Sequence, residues 1–346
     1  MIKKEEIFIN KKQWNSFSSE EMDSFVNKIF LYYRENGFPY FPTDKEYRTY
    51  EFNKLKQGVN NNLIIDRDIV RQMMHGLGLC WSYFPHAYSV ECNNFMSPMT
   101  AFSDDDIFKK VIRKRIRMGD NISDNGIRKM LKIFSGVQGV SNFRPTAACG
   151  LYRLFSDMLE NTNLCVWDMS SGYGGRLFGA IVSDVVDTYI GTDPCKATFD
   201  GLQAICDDFR PEWKDCINLI GSEEYEPLNN SLDVCFTSPP YFNTERYSNE
   251  ESQSYRKYET ASDWMDKFLM KTIDNCYLGL KNGGILAINI ADVQSYPSFT
   301  NDFMNLMDYK STKWEYINTM KLALSSLKRN REDKFKYEPI FIFKKI

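Results

Sequence analysis

A short turn near the middle of the chain holds residue types that can keep hydrogen-bond acceptors rigidly in place. The stretch CFTSPPYFN, residues 235–243, ends an apolar run with Ser238, Pro239, Pro240 and Tyr241. Proline has no amide hydrogen to donate, and its fixed φ holds the neighbouring carbonyls in position. The Ser238 hydroxyl and the Pro239 carbonyl could therefore accept hydrogen bonds from an amine, while the Tyr241 ring offers a face for stacking. A proline turn without any chemistry is the alternative interpretation.

A glycine-rich loop follows another apolar run. The sequence DMSSGYGGR, residues 168–176, begins with Asp168 and contains Ser170, Gly172 and Gly174. Glycine allows the backbone to turn tightly and to approach a ligand closely. The spacing is not GxGxxG, and no GK[ST] for a nucleotide phosphate follows. A loop of this kind, preceded by an acid, suits a cofactor with a cationic or amine-bearing end, although a plain strand-to-helix turn is also open.

Two further apolar runs end in polar residues. Asp193, in IGTDP, falls close to the place of the ribose-binding acid in nucleotide-binding α/β folds. Its alternative role is to cap the next helix. The GSEE stretch adds Ser222 and Glu223 after a third run, which is the weakest of the three signals.

Apolar runs alternate with helical patterns from residue 141 onward. Strands are expected at LCVWDMS, TYIGTD, CINLIGS, LDVCFTS, GGILAINIADV and KYEPIFIFKKI. Helices are expected at RPTAACGLYRLFSDML, GGRLFGAIVSDV, KATFDGLQAICDDF and SDWMDKFLMKTIDNCYLGL. This alternation predicts an α/β domain with a mostly parallel central sheet and helices on both faces. In such sheets ligands bind at the carboxyl ends of the strands, where the motifs above lie.

Residues 1–140 are predicted to form a largely helical N-terminal domain, with a second domain over residues 141–346. The first helix is expected to start at Ser19 as its cap and to end at Gly37. Further helices are expected at DRDIVRQMMHGLG, SDDDIFKKVIRKRIRMG and DNGIRKMLKIFSG.

The order DMSSGYGG, GTDP, GSEE and TSPPYF resembles the S-adenosylmethionine-dependent amino-methyltransferases of DNA, over about residues 141–346. The resemblance implies a Rossmann-like methyltransferase fold, S-adenosylmethionine as cofactor, and transfer of a methyl group to the exocyclic amine of a flipped base. It implies cofactor contacts by Phe143, Arg144, Asp168, Ser170, Gly172, Gly174, Asp193, Ser222 and Glu223. It implies that Ser238, Pro239, Pro240 and Tyr241 handle the target amine.

The target base is less sharply indicated. The serine of TSPPY resembles cytosine-N4 enzymes slightly more than adenine-N6 enzymes, which more often carry Asp or Asn there. Two other functions stay open: methylation of an RNA base or a protein amide on the same fold, and a non-catalytic DNA-binding relative.

DNA contacts are expected outside the catalytic turn, with double-stranded DNA as the partner. Too few residues separate the glycine loop from TSPPYF for a recognition domain, so we expect residues 1–140 to supply much of the recognition. Candidate substrate-binding residues are Lys109, Arg113 and Arg117 in KKVIRKRIR, together with Phe242, Tyr255 and Tyr258. A solvated helix face is the alternative for the basic run. Residues 243–262 are expected to be a mobile loop over the base or a disordered linker. Asp292 and the basic residues Lys328, Arg329 and Arg331 are weaker candidates.

The composition limits the other possibilities. The net charge of the 346 residues is −3, so nucleic-acid binding must come from a local basic patch. Nine scattered cysteines without a CxxC pair, and two histidines, argue against a metal site and indicate reduced thiols in a cytoplasmic protein. The N-terminus does not resemble a signal peptide, and no membrane span is expected. Oligomeric state and biological context (restriction–modification, regulation or phage DNA protection) are left open.

Overall fold

The structure is a computed structural model that describes residues 2–8, 10–60, 62–119, 121–324 and 335–346. Within these ranges the strands are β1 (Ile64–Ile65), β2 (Ile69–Val70), β3 (Glu91–Cys92), β4 (Leu164–Asp168), β5 (Val186–Thr192), β6 (Ile217–Asn218), β7 (Leu232–Thr237), β8 (Glu245–Arg246), β9 (Leu280–Asn289), β10 (Trp314–Ala323) and β11 (Tyr337–Lys345).

Helices account for most of the remaining regular structure. They are α1 (Lys11–Trp14), α2 (Ser19–Asn36), α3 (Lys45–Gly58), α4 (Leu77–Trp81), α5 (Pro98–Ser103), α6 (Asp105–Arg117), α7 (Asp124–Ile133), α8 (Pro145–Leu159), α9 (Gly175–Ile181), α10 (Lys196–Phe209), α11 (Ser254–Lys257), α12 (Ala261–Asp263), α13 (Lys271–Gly279) and α14 (Phe299–Tyr309), with a wider π-helical segment at Trp264–Met270 that joins α12 to α13.

The chain forms two compact units. One unit contains residues 1–42 and 85–141, and the other contains residues 43–84 and 142–346. Residues 43–84 therefore group with the sheet rather than with the rest of the N-terminal region. The functional division of the chain near residue 140 stays a prediction.

The first unit is helical, and its core lies between α2, α6 and α7. Phe25, Ile29 and Tyr33 of α2 are buried in one cluster with Phe108 and Val111 of α6. These positions recur every three or four residues, so each helix presents one apolar face. Helix α2 is capped by Ser18, whose hydroxyl accepts from the Glu21 amide, so the predicted cap at Ser19 was one residue too late. The predicted end at Gly37 is confirmed by its left-handed φ of 79°.

The second unit is built on a sheet with the order β1-β2-β10-β11-β9-β7-β4-β5-β6. Strands β6, β5, β4, β7 and β9 run parallel, and β11 is antiparallel to both β9 and β10. Every residue of β7 is buried, as expected for a central strand covered on both faces. The predicted α/β fold with a mostly parallel central sheet is confirmed.

The connections define where a ligand can bind. From β4 the chain moves outward through β5 to β6, then returns to the other side of β4 as β7 and continues to β9. The order therefore reverses between β4 and β7, and loops that leave these two strands diverge and open a crevice. The glycine loop follows β4 and the SPPYF turn follows β7.

One predicted helix is absent from the described part of the chain. DRDIVRQMMHGLG, residues 66–78, contains the turn and the second strand of the β1–β2 hairpin instead, with Asp66 and Arg67 at φ values of 50° and 67°. Strand β2 pairs with β10, and Lys321 of β10 contacts the Asp68 carboxylate at 2.8 Å. This long-range pairing, which the local pattern does not reveal, overrides helix propensity.

Candidate active site

The loop after β4 is shaped by glycines with different constraints. Gly172 and Gly174 have φ values of 54° and 70°, which other L-residues rarely adopt. Beside Gly172 a Cβ would meet one atom within 4 Å, the Ser170 carbonyl oxygen at 3.8 Å, so the loop leaves open space there. At Gly175 a Cβ would lie 1.8 Å from the Phe143 carbonyl oxygen, so this position must be glycine for the two segments to pack.

Asp168 stabilises the glycine loop after β4 through buried hydrogen bonds. Its carboxylate is fully buried and accepts from Arg176 Nε at 2.9 Å, the Tyr189 hydroxyl at 2.6 Å and the Thr237 hydroxyl at 3.4 Å. Arg176 also donates to the Ser170 carbonyl. The Thr237 contact joins the end of β7 to the end of β4, so Asp168 holds the two sides of the crevice together. A direct cofactor contact by Asp168 or Ser170 stays a prediction.

Asp193 lies at the end of β5 beside the same loop. Its two carboxylate oxygens accept from the amides of Gly172 and Cys195, each at 3.0 Å. Burial raises its pKa to about 6, although these two hydrogen bonds act in the opposite direction. The carboxylate is therefore held in a fixed orientation and still has lone pairs for further donors.

The turn after β6 supplies a second acid. Glu223 is 5% exposed, and its Oε1 accepts from Lys257 Nζ at 2.9 Å. Its Oε2 is buried and has no hydrogen-bond partner within the described ranges. Asn275 of α13 donates to the backbone carbonyls of Ser222 and Glu223, and the Ser222 hydroxyl lies 2.8 Å from that of Thr272.

The SPPYF turn leaves β7 on the other side of the crevice. Pro239 is buried, and Ser238 and Pro240 are partly exposed. The Tyr241 ring packs edge-on against Phe299, with 6.0 Å between centroids. Phe242, at a φ of 53°, turns its ring into the core 6.3 Å from that of Trp264. Ser238 and Tyr241 thus keep partial exposure at the end of β7, whereas Phe242 anchors the turn, and contacts of these residues with substrate stay a prediction.

Two residues of NFRPT precede α8. The Phe143 ring packs 5.4 Å from that of Phe236, and the Arg176 guanidinium lies 5.6 Å from the Phe143 ring centroid. Arg144 is partly buried at the start of α8, and burial lowers its pKa. Among the described residues no carboxylate or hydrogen-bond acceptor pairs with its side chain, so the guanidinium is suited to an anionic group of a ligand.

Residues 243–262 form a polar segment that contacts three strand-end loops. Tyr247 packs against Tyr173 of the glycine loop, with 6.1 Å between ring centroids. Ser252 donates to the Pro194 carbonyl at 3.1 Å, and Lys257 bridges Glu223 and Glu224. The segment is thus folded against the loops that follow β4, β5 and β6. This packing differs from the predicted disordered linker, and its role over a base stays a prediction.

The two tyrosines predicted within this segment lie differently. The Tyr255 hydroxyl donates to the Ser248 carbonyl at 2.8 Å, inside the segment itself. Burial raises the pKa of Tyr258, and the charge of the nearby Glu223 carboxylate raises it further.

The basic run in the helical unit divides into two sets. Lys109 lies over the Phe30 ring at 4.4 Å, and Arg113 pairs with Asp23 at 3.0 Å. Arg117 is exposed together with Lys110 and Lys114, and within the described chain no acid pairs with these three. Spacings of four and three residues put the three exposed cations on one face of α6.

The remaining candidates lie elsewhere. Asp292 accepts from the amide and the hydroxyl of Thr300, each at 2.8 Å, and so fixes the start of α14. Lys328, Arg329 and Arg331 lie outside the described residues.

Several site residues were not found from sequence. Tyr189 and Thr237 reach Asp168 from neighbouring strands, while Lys257 and Asn275 reach Glu223 from later segments. Ligands bind at the carboxyl ends of parallel strands, and Thr237 directly precedes Ser238 at the end of β7, so the sequence could have suggested Thr237.

Comparison with known proteins extends these observations. Residues 232–346 match the family model of N6/N4 methyltransferases described as "DNA methylase". No curated protein sequence matches the chain. No helix in the described ranges has the length and hydropathy of a membrane-spanning segment.

Several solved structures match parts of the chain at low similarity. An rRNA methylase from Streptococcus thermophilus is 14% identical, with 60% of this chain and 99% of that chain covered at a TM-score of 0.36. The N-methyltransferase NodS from Bradyrhizobium japonicum is 10% identical, with coverages of 56% and 94% and a TM-score of 0.36. The tRNA (m1A58) methyltransferase TrmI from Aquifex aeolicus is 11% identical, with coverages of 56% and 68% and a TM-score of 0.33.

The family match and the architecture agree. The matched residues begin with β7, whose end carries the SPPYF turn, and continue through the last strands of the sheet. The resemblance predicted from the sequence is confirmed over residues 232–346, which match the N6/N4 DNA methylase family model, and the strand order agrees with the predicted Rossmann-like α/β fold.

Proposed function

We propose that the protein transfers a methyl group from S-adenosylmethionine to the exocyclic amine of a DNA base flipped out of the duplex, with cytosine N4 slightly favoured over adenine N6. The observation that carries the proposal is the position of Ser238 and Tyr241 at the end of β7, across the crevice from the glycine loop. Thr237 and Asp168 tie the two sides together at 3.4 Å.

The residues around the glycine loop fit S-adenosylmethionine. Asp193 offers a fixed carboxylate of the kind that accepts both ribose hydroxyls. The unpartnered Glu223 Oε2 suits the adenine amine, and Arg144 suits the carboxylate of the methionine part. Open space beside Gly172 leaves room for the chain between them. When bound, the cofactor supplies an electrophilic methyl group on a sulfonium.

The chain's own residues would prepare the amine. The lone pair of an exocyclic amine is delocalised into its ring, which makes the nitrogen a poor nucleophile. Two acceptors, the Ser238 hydroxyl and the Pro239 carbonyl, draw the amine hydrogens to one side and favour tetrahedral geometry at nitrogen. The lone pair then points away from the turn, towards the glycine loop. Positioning of this kind needs no covalent bond between enzyme and base.

Duplex DNA is the proposed partner, held by phosphate contacts from the exposed cations of α6. Lys109, Arg113 and Arg117 were predicted for this role. Because Lys109 and Arg113 already have partners, we assign the main contacts to Lys110, Lys114 and Arg117. Tyr255, Tyr258 and Phe242 remain proposed contacts near the base.

A labelling experiment tests the function. The purified protein is incubated with methyl-labelled S-adenosylmethionine and duplex DNA, and the DNA is digested to nucleosides. We expect label in N4-methylcytosine, and none from a Ser238→Ala, Tyr241→Ala double variant. Label in N6-methyladenine would overturn the cytosine assignment. Label in tRNA, rRNA or a protein amide, with none in DNA, would overturn the DNA substrate.

A further inference from the structure

The hydroxyl of Ser238 must have a defined orientation for the proposed function, on which this inference rests. A serine hydroxyl can donate one hydrogen bond and accept two. If it donated towards the target nitrogen, it would occupy the lone pair that has to attack. The site therefore needs a group that takes the hydroxyl proton of Ser238 and leaves its lone pairs for the amine.

Tyr241 is that group. Burial and then the charge of Glu338 raise the pKa of the Tyr241 phenol well above its usual value, and a hydrogen bond with the neighbouring Ser238 side chain acts in the opposite direction. The Tyr241 hydroxyl in turn lies 3.3 Å from the Asn289 carbonyl oxygen and 3.5 Å from Glu338 Oε2. Both atoms are acceptors, so the Tyr241 proton points towards β9 and β11, and the phenol oxygen keeps a lone pair for the Ser238 hydroxyl.

Glu338 is the ionisable end of this chain. It lies near the start of β11, partly exposed, and it accepts hydrogen bonds from the side chains of Asn289 and Tyr241. Asn289 is itself fixed by its donation to the Pro339 carbonyl at 3.0 Å. Burial raises the pKa of Glu338 in spite of these two bonds, which makes its carboxylate a better proton acceptor. The other charged groups that act on Tyr241 are Glu245 and Arg176.

We propose that Ser238, Tyr241 and Glu338 form a proton relay that orients Ser238 as an acceptor and carries away the proton that the methylated amine must lose. When the nitrogen lone pair forms its bond to the methyl carbon, the carbon–sulfur bond of the donor would break with its electron pair left on sulfur, and the amine would become cationic with two hydrogens. One N–H bond then breaks, and its electron pair stays on nitrogen. The proton passes to Ser238 Oγ, the Ser238 proton to Tyr241 Oη, and the Tyr241 proton to Glu338 Oε2. Glu338 releases it to water through its exposed side.

The distances are compatible with this role. Catalytic hydrogen bonds are often long before substrate is present and shorten in the reacting complex. Glu338 touches neither base nor cofactor in this scheme, so it acts through Tyr241 and Ser238 as a positioning residue.

Single-turnover methyl transfer to duplex DNA, measured across pH at saturating S-adenosylmethionine, tests the relay. In the unmodified protein the rate should rise with pH and reach a plateau as Glu338 ionises. Glu338→Gln should lower the plateau by about 100-fold, in the range of general acid–base effects, and should remove that rise. Glu338→Asp should restore part of both. Tyr241→Phe should cost a similar factor, and adding Glu338→Gln to it should cost little more.

The control is Glu315→Gln, which removes an exposed carboxylate from the neighbouring strand β10 and should leave rate and pH profile unchanged. Cofactor affinity and thermal midpoint, measured on each variant, separate a relay defect from a folding defect. If the unmodified protein is active and Glu338→Gln has the same rate and pH profile, the relay alone is overturned. An unmodified protein that transfers no methyl to any nucleic acid would overturn the proposed function and the relay together.

Discussion

If Asp193 holds the ribose as proposed, it couples the protonation state of the site to cofactor binding. Its pKa is raised to about 6, so the carboxylate is ionised at neutral pH and becomes protonated below that value. A protonated acid loses acceptor capacity for ribose hydroxyls. We therefore expect S-adenosylmethionine affinity, measured by calorimetry, to be constant above pH 7 and to fall as pH drops through about 6.

Asp193→Asn should weaken cofactor binding about 10- to 100-fold at neutral pH, because hydrogen bonds to a charged acceptor are worth about 1.5–3 kcal/mol. It should also remove the pH dependence. Asp187→Asn, on the same strand but exposed, is the matched control and should bind as the unmodified protein does. A persistent pH dependence in Asp193→Asn would assign the effect to another group.

The same ionisation has the opposite effect on the stability of the ligand-free protein. Since the folded-state pKa lies above the ordinary value of 3.8, the folded form binds the proton more tightly than the unfolded form. The contribution of Asp193 to the free energy of unfolding is thus complete below pH 3.8 and is lost as pH rises through about 6. With the proposed role of Asp193, stability and cofactor binding should therefore respond to its ionisation in opposite directions.

At the scale of elements, the turn from β4 into α9 depends on the close approach of Gly175 to Phe143. An alanine Cβ would lie 1.8 Å from the Phe143 carbonyl oxygen, and neither backbone segment can yield without moving the loop. We expect Gly175→Ala to lower the free energy of unfolding by about 3 kcal/mol or more, measured by urea titration.

Gly172→Ala provides the comparison for this substitution. Open space surrounds that position, so the cost there is confined to the left-handed φ of 54°, about 1–2 kcal/mol. An equal loss in the two variants would show that the approach of Gly175 to Phe143 is not the constraint.

The segment 243–262 is held by Lys257, which contacts Glu223 at 2.9 Å and Glu224 at 2.8 Å. Lys257→Met should release this segment and increase its cleavage by chymotrypsin at Tyr255 and Tyr258. Cofactor affinity should change as well, since the substitution leaves Glu223 buried without its cation.

Lys267→Met is the control for Lys257→Met. It removes an exposed pair with Asp263 within one helix, which contributes little. Equal cleavage rates in the two variants would contradict a holding role of Lys257.

Elements were predictable where local signals and burial agree. The acid–glycine loop, the SPPYF turn and most strands of the parallel sheet follow from apolar runs that end in polar residues. The β1–β2 hairpin was missed because its turn uses Asp66 and Arg67 rather than glycine, and because its partner β10 is distant in sequence. The contacts of Lys257 and Glu338 could not be predicted either, since each depends on how a later segment folds back onto the strand ends.

At the scale of the whole molecule, a chain of net charge −3 must bind a polyanion through a local patch. Lys110, Lys114 and Arg117 offer three exposed cations on one face of α6, each without an acidic partner in the described ranges. Cations that neutralise phosphates release counterions. The logarithm of the DNA-binding constant therefore falls linearly with the logarithm of the salt concentration, with a slope of about −0.9 for each phosphate contact. The triple change to glutamine should therefore weaken duplex binding and reduce the slope by about 2–3, similarly for all DNA sequences.

The matched control for the triple variant is Arg113→Gln in the same helix. Arg113 is already paired with Asp23, so its loss should change the slope by much less than one contact. Fluorescence anisotropy with a labelled duplex between about 50 and 200 mM salt resolves the difference. If the triple variant kept the slope of the unmodified protein, α6 would be a solvated face, and the phosphate contacts would have to be sought among other cations. If the slope falls but the target base is unchanged, the cations of α6 position the duplex and the crevice between β4 and β7 selects the base.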